Sequence, residues 1–69
     1  MNYSEFTEQV RIATITNNIN VTIAIEDIKF GFKAYTSLML QGVDNDASFN
    51  ESIELILDKK HKKYTRIRA

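Results

Sequence analysis

Few side chains in this sequence have the type and spacing that catalysis requires. The only histidine, His61, lies among the four lysines of 59–63, whose positive charges disfavour its protonated form. No Ser-His-acid or Cys-His set can be assembled without it, and the carboxylates are scattered. One histidine and no cysteine also argue against a structural zinc site. We therefore predict that the protein is not an enzyme and uses no metal or other cofactor.

The charged side chains are segregated along the chain. The net charge of the 69 residues is zero, but residues 1–58 hold three basic and all nine acidic residues, a net charge of −6. Residues 59–69 hold the other six basic residues and no acid, a net charge of +6. Such an asymmetry often marks contact with nucleic acid or another acidic surface. The alternative is a solvated tail that binds nothing specific.

The length of the chain limits the core that it can build. Sixty-nine residues form one small domain, and without disulfides or a metal the remaining means of stabilisation is oligomerisation. No apolar run approaches the roughly 20 residues that span a bilayer, and the N-terminal residues MNYSEFTEQV do not have the composition of a signal peptide. We predict a cytoplasmic protein that does not contact the membrane.

Residues 20–25 predict a β-strand that would organise the fold. Apolar side chains at 21, 23 and 25 alternate with small or polar ones, which is typical of a half-buried strand. Because no second strand is evident downstream, its pairing partner must lie upstream or in a second copy of the chain. This reasoning favours an obligate homodimer.

Residues 1–19 fit two interpretations. Phe6, Val10 and Ala13 have helical spacing, with Ser4 as a candidate N-cap. The alternative is a strand over Val10–Thr16, which is rich in β-branched residues and precedes two asparagines suited to a hairpin turn. Of the two, we favour an N-terminal arm or extra strand.

Two amphipathic helices are predicted after Ile25. The apolar stripe of the first comprises Ile28, Phe32, Tyr35 and Met39, and Gly42 suits its end. Gly31 inside it costs about 1 kcal/mol relative to alanine, so either a neighbour packs closely there or the helix is locally weak. After a connector at 43–47, Ser48 and Glu51 form a candidate capping box for the second helix. Its stripe comprises Ile53, Ile56, Leu57 and Tyr64.

The order strand, helix, connector and capped helix, in VTIAIEDI (21–28) and SFNESI (48–53), resembles the ribbon-helix-helix family, the Arc and MetJ type of DNA-binding protein. The resemblance covers residues 20 to 64. It implies a mainly α fold with a short β-ribbon, shared by two intertwined chains. The domain at 20–64 would follow an arm or extra strand at 1–19 and precede a basic tail at 65–69.

The resemblance and the charge pattern together define candidate site residues. On the free face of the ribbon, the side chains expected to contact DNA bases are Asn20, Thr22 and Ala24. Phosphate contacts are expected from backbone N–H groups of Ser48, Phe49 and Asn50, and from Lys59, Lys60, Lys62 and Lys63. The predicted dimer core comprises Val21, Ile23, Ile25, Ile28, Phe32, Ile53, Ile56 and Leu57.

Two functions from different classes are consistent with these features. The first is sequence-specific binding of double-stranded DNA by a homodimer, with higher-order assembly on DNA included. Such a protein would be a small repressor or an accessory protein of a plasmid or phage. The alternative is a protein-binding module, an inhibitor or adaptor that docks on a second protein through its strand or an apolar helix face. The affinity for DNA would fall steeply as the salt concentration rises, whereas the affinity of an apolar protein interface would hardly change.

Overall fold

The computed structural model describes residues 1–19 and 22–68, with side chains described as far as Lys60. Three helices follow one another: α1 (Tyr3–Thr16), α2 (Ile25–Leu40) and α3 (Asn45–Arg68). The described residues include no strand. The predicted ribbon-helix-helix fold is therefore wrong, and this part of the chain is an all-α three-helix domain.

Helix α1 begins with a capping box that the sequence analysis missed. The Glu5 N–H donates to the Asn2 side-chain oxygen at 2.8 Å, and the Asn2 N–H donates to the Glu5 carboxylate at 3.0 Å. These two bonds satisfy N–H groups that the first turn would otherwise leave without partners. The predicted arm or extra strand at 1–19 is wrong for Tyr3–Thr16, and the helical interpretation holds with Asn2, rather than Ser4, as the cap.

At residues 22–25 a linker and the first residue of α2 replace the predicted strand. Thr22, Ile23 and Ala24 have no regular structure, while Asn20 and Val21 lie outside the described residues. The Ala24 N–H donates to the Asp27 carboxylate at 2.9 Å, which fixes the helix start at Ile25. The described part of the chain contains no strand with which this segment could pair. The hydrogen bond between Ala24 and Asp27 therefore determines its structure.

The prediction of two helices after Ile25 is confirmed, and α2 packs mainly on α3. At Gly31 an added Cβ would lie only 2.4 Å from Cδ1 of Ile56, so a neighbour does pack closely there. The same face of α3 carries Ser48 and Ser52, both fully buried, at intervals of four residues from Ile56. Small residues thus allow the two helices to approach closely.

Helix α3 begins three residues before the predicted cap. The Ala47 N–H donates to the Asp44 carboxylate at 2.8 Å, and the Ser48 N–H donates to the Asp44 carbonyl at 2.9 Å. Asp44 is therefore the N-terminal cap, and the predicted capping box of Ser48 and Glu51 is wrong. The preceding stop is as predicted, because Gly42 has φ +92°, a left-handed conformation that glycine adopts without strain.

Phe6 holds α1 against the other two helices. Its ring is fully buried, and its centroid lies 5.4–5.6 Å from the centroids of Phe32, Tyr35 and Phe49. Ring pairs at such distances add to the free energy of burial by about 0.5–1.5 kcal/mol each. The Tyr35 hydroxyl also donates to the Asn45 side-chain oxygen, which ties α2 to the start of α3.

Candidate functional site

The surface beside the start of α1 contains an open apolar groove. It has a volume of about 600 Å³, and its lining residues are Tyr3, Lys29, Phe32, Lys33, Thr36, Ser37 and Leu40. Half-buried Phe32 and exposed Tyr3, whose ring centroids are 5.4 Å apart, contribute its aromatic side chains. Leu40 contributes the side chain at one end and is 85% exposed. Leu40 follows Phe32 by about 12 Å along the axis of α2, and Thr36 and Ser37 line the groove between them, so the apolar side chains are spaced along the groove.

The spacing of residues on α2 explains the length and direction of this groove. Positions 29, 33, 36 and 40 are separated by four, three and four residues and therefore share one face of the helix. At 1.5 Å per residue they extend over about 16 Å, or three helical turns. Tyr3 joins them from α1 because the burial of Phe6 fixes the start of α1 against α2. The groove thus runs along α2, with α1 at its side.

Lys29 and Lys33 give one end of the groove a positive charge. They lie one turn apart, a spacing at which like charges destabilise a helix by about 0.2–0.5 kcal/mol. Among the side chains that the structure describes, the salt bridge within 4 Å joins Lys60 to Asp27 and involves neither lysine of the groove. The charge of this pair is therefore not neutralised by a salt bridge within the described chain.

Asp27 lies at a separate polar contact between α2 and α3. Lys60 Nζ is 2.8 Å from its carboxylate, and Lys59 Nζ lies 4.7 Å from the centroid of the Phe30 ring. Burial raises the pKa of Asp27, but hydrogen bonds from Lys60 and the Ala24 N–H, with the nearby positive charges, bring it below its ordinary value. Two lysines predicted to contact phosphate therefore already have contacts within the chain.

Of the residues predicted to contact DNA, the structure brings Ala24, Lys59 and Lys60 together in one small pocket that Glu26 and Asp27 also line. Thr22 and Ala24 are exposed, but they belong to the linker before α2 and not to a ribbon. Asn20 lies outside the described residues, as do the side chains of Lys62 and Lys63. The described part of the chain therefore contains no two-stranded surface of the kind expected to enter the major groove.

The predicted phosphate-binding residues of the second helix lie beyond its first turn. Ser48 is fully buried, and its hydroxyl donates to the Val43 carbonyl at 3.3 Å. Phe49 packs on Phe6, and Asn50 is exposed. The helix start carries the Asp44 and Asp46 carboxylates instead, and negative side chains there oppose the binding of a phosphate.

Most residues predicted for a dimer core contribute to the core of the single chain. Ile28 and Ile56 are buried, Ile23, Phe32 and Ile53 pack against the core, and Leu57 is half-buried. Ile25 is the exception, since 68% of it is exposed, and Val21 lies outside the described residues. The buried face assigned to a shared ribbon is thus largely occupied by contacts between α2, α3 and α1.

The groove residues Tyr3, Lys29, Lys33 and Leu40 were not predicted as a site. The spacing of the two lysines and Leu40 along α2 was visible in the sequence, but the contribution of Tyr3 depends on the packing of α1. In the described residues no helix is long and apolar enough to cross a membrane, and no group of three His, Cys, Asp or Glu side chains could hold a metal ion. No protein-family model, curated protein or solved structure matches the chain.

Proposed function

We propose that this protein is a protein-binding module that receives a helix of another protein in the groove along α2. The observation that carries this proposal is the exposure of Leu40 at the end of an apolar groove that is three turns long. An amphipathic helix binds such a surface by placing side chains at i, i+3, i+4 and i+7 into it. The function is one of binding, with no catalytic step.

The shape of the groove favours a helix over a small molecule. Small-molecule sites are concave and bury about 70–90% of their ligand's surface. This groove is shallow and open to solvent along one side of α2, so a small ligand would remain largely exposed. A helix of three turns needs contact along only one face and matches the length of about 16 Å.

A stapled peptide of four turns, with a leucine stripe and glutamine flanks, tests this proposal with ¹⁵N-labelled protein. Stapling is needed because isolated helices of this length are marginal in water. The amide resonances of Thr36, Ser37 and Leu40 should shift on titration. Leu40→Asp should weaken binding by about 10- to 100-fold, the effect of losing one buried leucine contact.

Ile15→Asp is the matched control, because Ile15 is 78% exposed and does not line the groove. Both substitutions place a carboxylate in the last turn of a helix, so each should lower the free energy of unfolding by a similar amount, about 0.3–1 kcal/mol. Equal loss of binding in the two variants, or shifts confined to α1 and α3, would contradict docking in the groove.

DNA binding is a second candidate, favoured by the basic end of the chain. Residues 59–69 contain six cations and no acid, and α3 continues to Arg68 as one helix. We propose that this end would contact phosphates without reading the base sequence. A gel-shift series on random duplex at increasing salt should then show a steep loss of affinity.

Charge reversal at Lys62 and Lys63 should reduce the salt slope by about two units. The matched control is reversal at Lys29 and Lys33, which changes the net charge by the same amount at exposed positions of α2. An unchanged slope in the Lys62 and Lys63 variant would rule out phosphate contact by these two side chains.

A further inference from the structure

Resting on the proposed protein-binding function, we infer that the partner helix is acidic at one end: its apolar stripe is followed by carboxylates that pair with Lys29 and Lys33. The two lysines border the same groove as Phe32 and Leu40, so a docked helix meets positive charge and apolar surface together. Charge complementarity therefore selects the occupant.

The positions along α2 define the pattern that the partner needs. Lys29 and Lys33 are four residues apart, a separation of about 6 Å along the helix axis. Leu40 lies seven residues after Lys33, about 10 Å further along. A matching helix has two Asp or Glu side chains one turn apart, and apolar side chains one to two turns from them. Both groups lie on a single face.

The like charges of Lys29 and Lys33 are a second reason to expect an acidic partner helix. Their mutual repulsion is unfavourable in the free protein, and carboxylates of a partner would remove it on binding. A helix with basic flanks would instead add a third and fourth positive charge to the same end of the groove. Repulsion of this kind disfavours basic partners and adds to the specificity that attraction provides.

Two stapled peptides with the same leucine stripe test the inference, one with a glutamate pair and one with a lysine pair in the flanking turn. The acid-flanked peptide should bind about 2- to 30-fold more tightly, as expected for two exposed ion pairs. The preference should shrink as salt is added. Amide shifts at Thr36, Ser37 and Leu40 should accompany binding.

Lys33→Glu should reduce or reverse the preference for the acid-flanked peptide. Arg11→Glu is the control, because it changes the charge equally at an exposed position of α1 that does not line the groove. Circular dichroism establishes that both variants remain helical. Loss of the preference in both variants alike would overturn the inference, since net charge and not the groove would then govern binding.

The remaining outcomes separate this inference from the proposed function. Equal binding of the two peptides, abolished by Leu40→Asp, would overturn the inference while leaving the protein-binding function standing. Binding of neither peptide would overturn both. Self-association in sedimentation equilibrium that disappears in Leu40→Asp would identify a second copy of this chain as the occupant, and would also overturn the inference.

Discussion

Replacement of Gly31 by alanine tests the close approach of α2 and α3. The added Cβ would lie 2.4 Å from Cδ1 of Ile56 and 2.9 Å from its Cγ1. Ile56 is buried and β-branched, so its side chain has few alternative positions in a packed core. Overpacking of this kind typically costs about 1–3 kcal/mol.

The intrinsic preference of helices for alanine opposes this cost. Alanine is favoured over glycine in a helix interior by about 1 kcal/mol. Gly31→Ala should therefore reduce the free energy of unfolding by between about 0 and 2 kcal/mol, the overpacking cost less the helical preference. Urea denaturation followed by circular dichroism measures this difference.

Two variants at Lys33 supply the reference for the helical preference. Lys33 is an exposed position of the same helix, so the difference between Lys33→Ala and Lys33→Gly reports the preference without a packing change. Subtracting this difference from the change in the free energy of unfolding caused by Gly31→Ala gives the cost of the contact between the new Cβ and Ile56. If Gly31→Ala stabilises the protein as much as the reference difference, the helices do not approach closely and the reasoning is refuted.

Ile56→Val removes the Cδ1 atom that the new Cβ would meet. In combination with Gly31→Ala its effect should be less than additive, by about 0.5–2 kcal/mol, because the two changes share one contact. If the effects of the two substitutions were strictly additive, the strain caused by the added Cβ would not arise from its contact with Ile56.

Two further predictions concern polar contacts. Asp27→Asn should lower the free energy of unfolding at neutral pH by about 1.5–3 kcal/mol through loss of the charged pair with Lys60. Because the pKa of Asp27 is lowered by folding, its contribution is complete above the ordinary value of 3.8 and is lost as the pH falls through the folded pKa. The variant should therefore unfold with a weaker acid dependence, and an unchanged dependence would contradict this. Tyr35→Phe should cost about 1–2 kcal/mol by removing the hydroxyl that donates to Asn45, and Asn45→Ala should then add little in urea titrations. Full additivity of those two changes would exclude a shared hydrogen bond.

The sequence was sufficient to predict α2 because several local signals agree there. The apolar stripe, the acids of the first turn and the stop at Gly42 all indicate one helix, and the structure has Ile28 and Tyr35 buried on it. The same consistency was absent at α1, where β-branched residues and helical spacing gave conflicting indications. The pair of Asn2 and Glu5 was the decisive signal, since a capping box operates locally.

The error at residues 22–25 has a different cause. Alternation over six residues is a weak indicator, because a strand also needs a partner that the sequence of one chain does not supply. Asp27 provides a competing local interaction by accepting the Ala24 N–H, and this interaction determines where the helix starts. The groove was equally beyond reach, since Tyr3 and Leu40 are brought to one surface only by the packing of α1 on α2.

The close approach of α2 and α3 buries small side chains beside the large apolar ones of the core. Gly31, Ser48 and Ser52 occupy the contact between α2 and α3, because small side chains let the two backbones approach. Leu40 and Ile15 are large apolar side chains that remain exposed. In the proposed function, a partner helix covers the exposed apolar area at Leu40. Lys29 and Lys33 lie two to three turns earlier on the same face of α2, so an acidic partner helix long enough to reach Leu40 would also meet their charge.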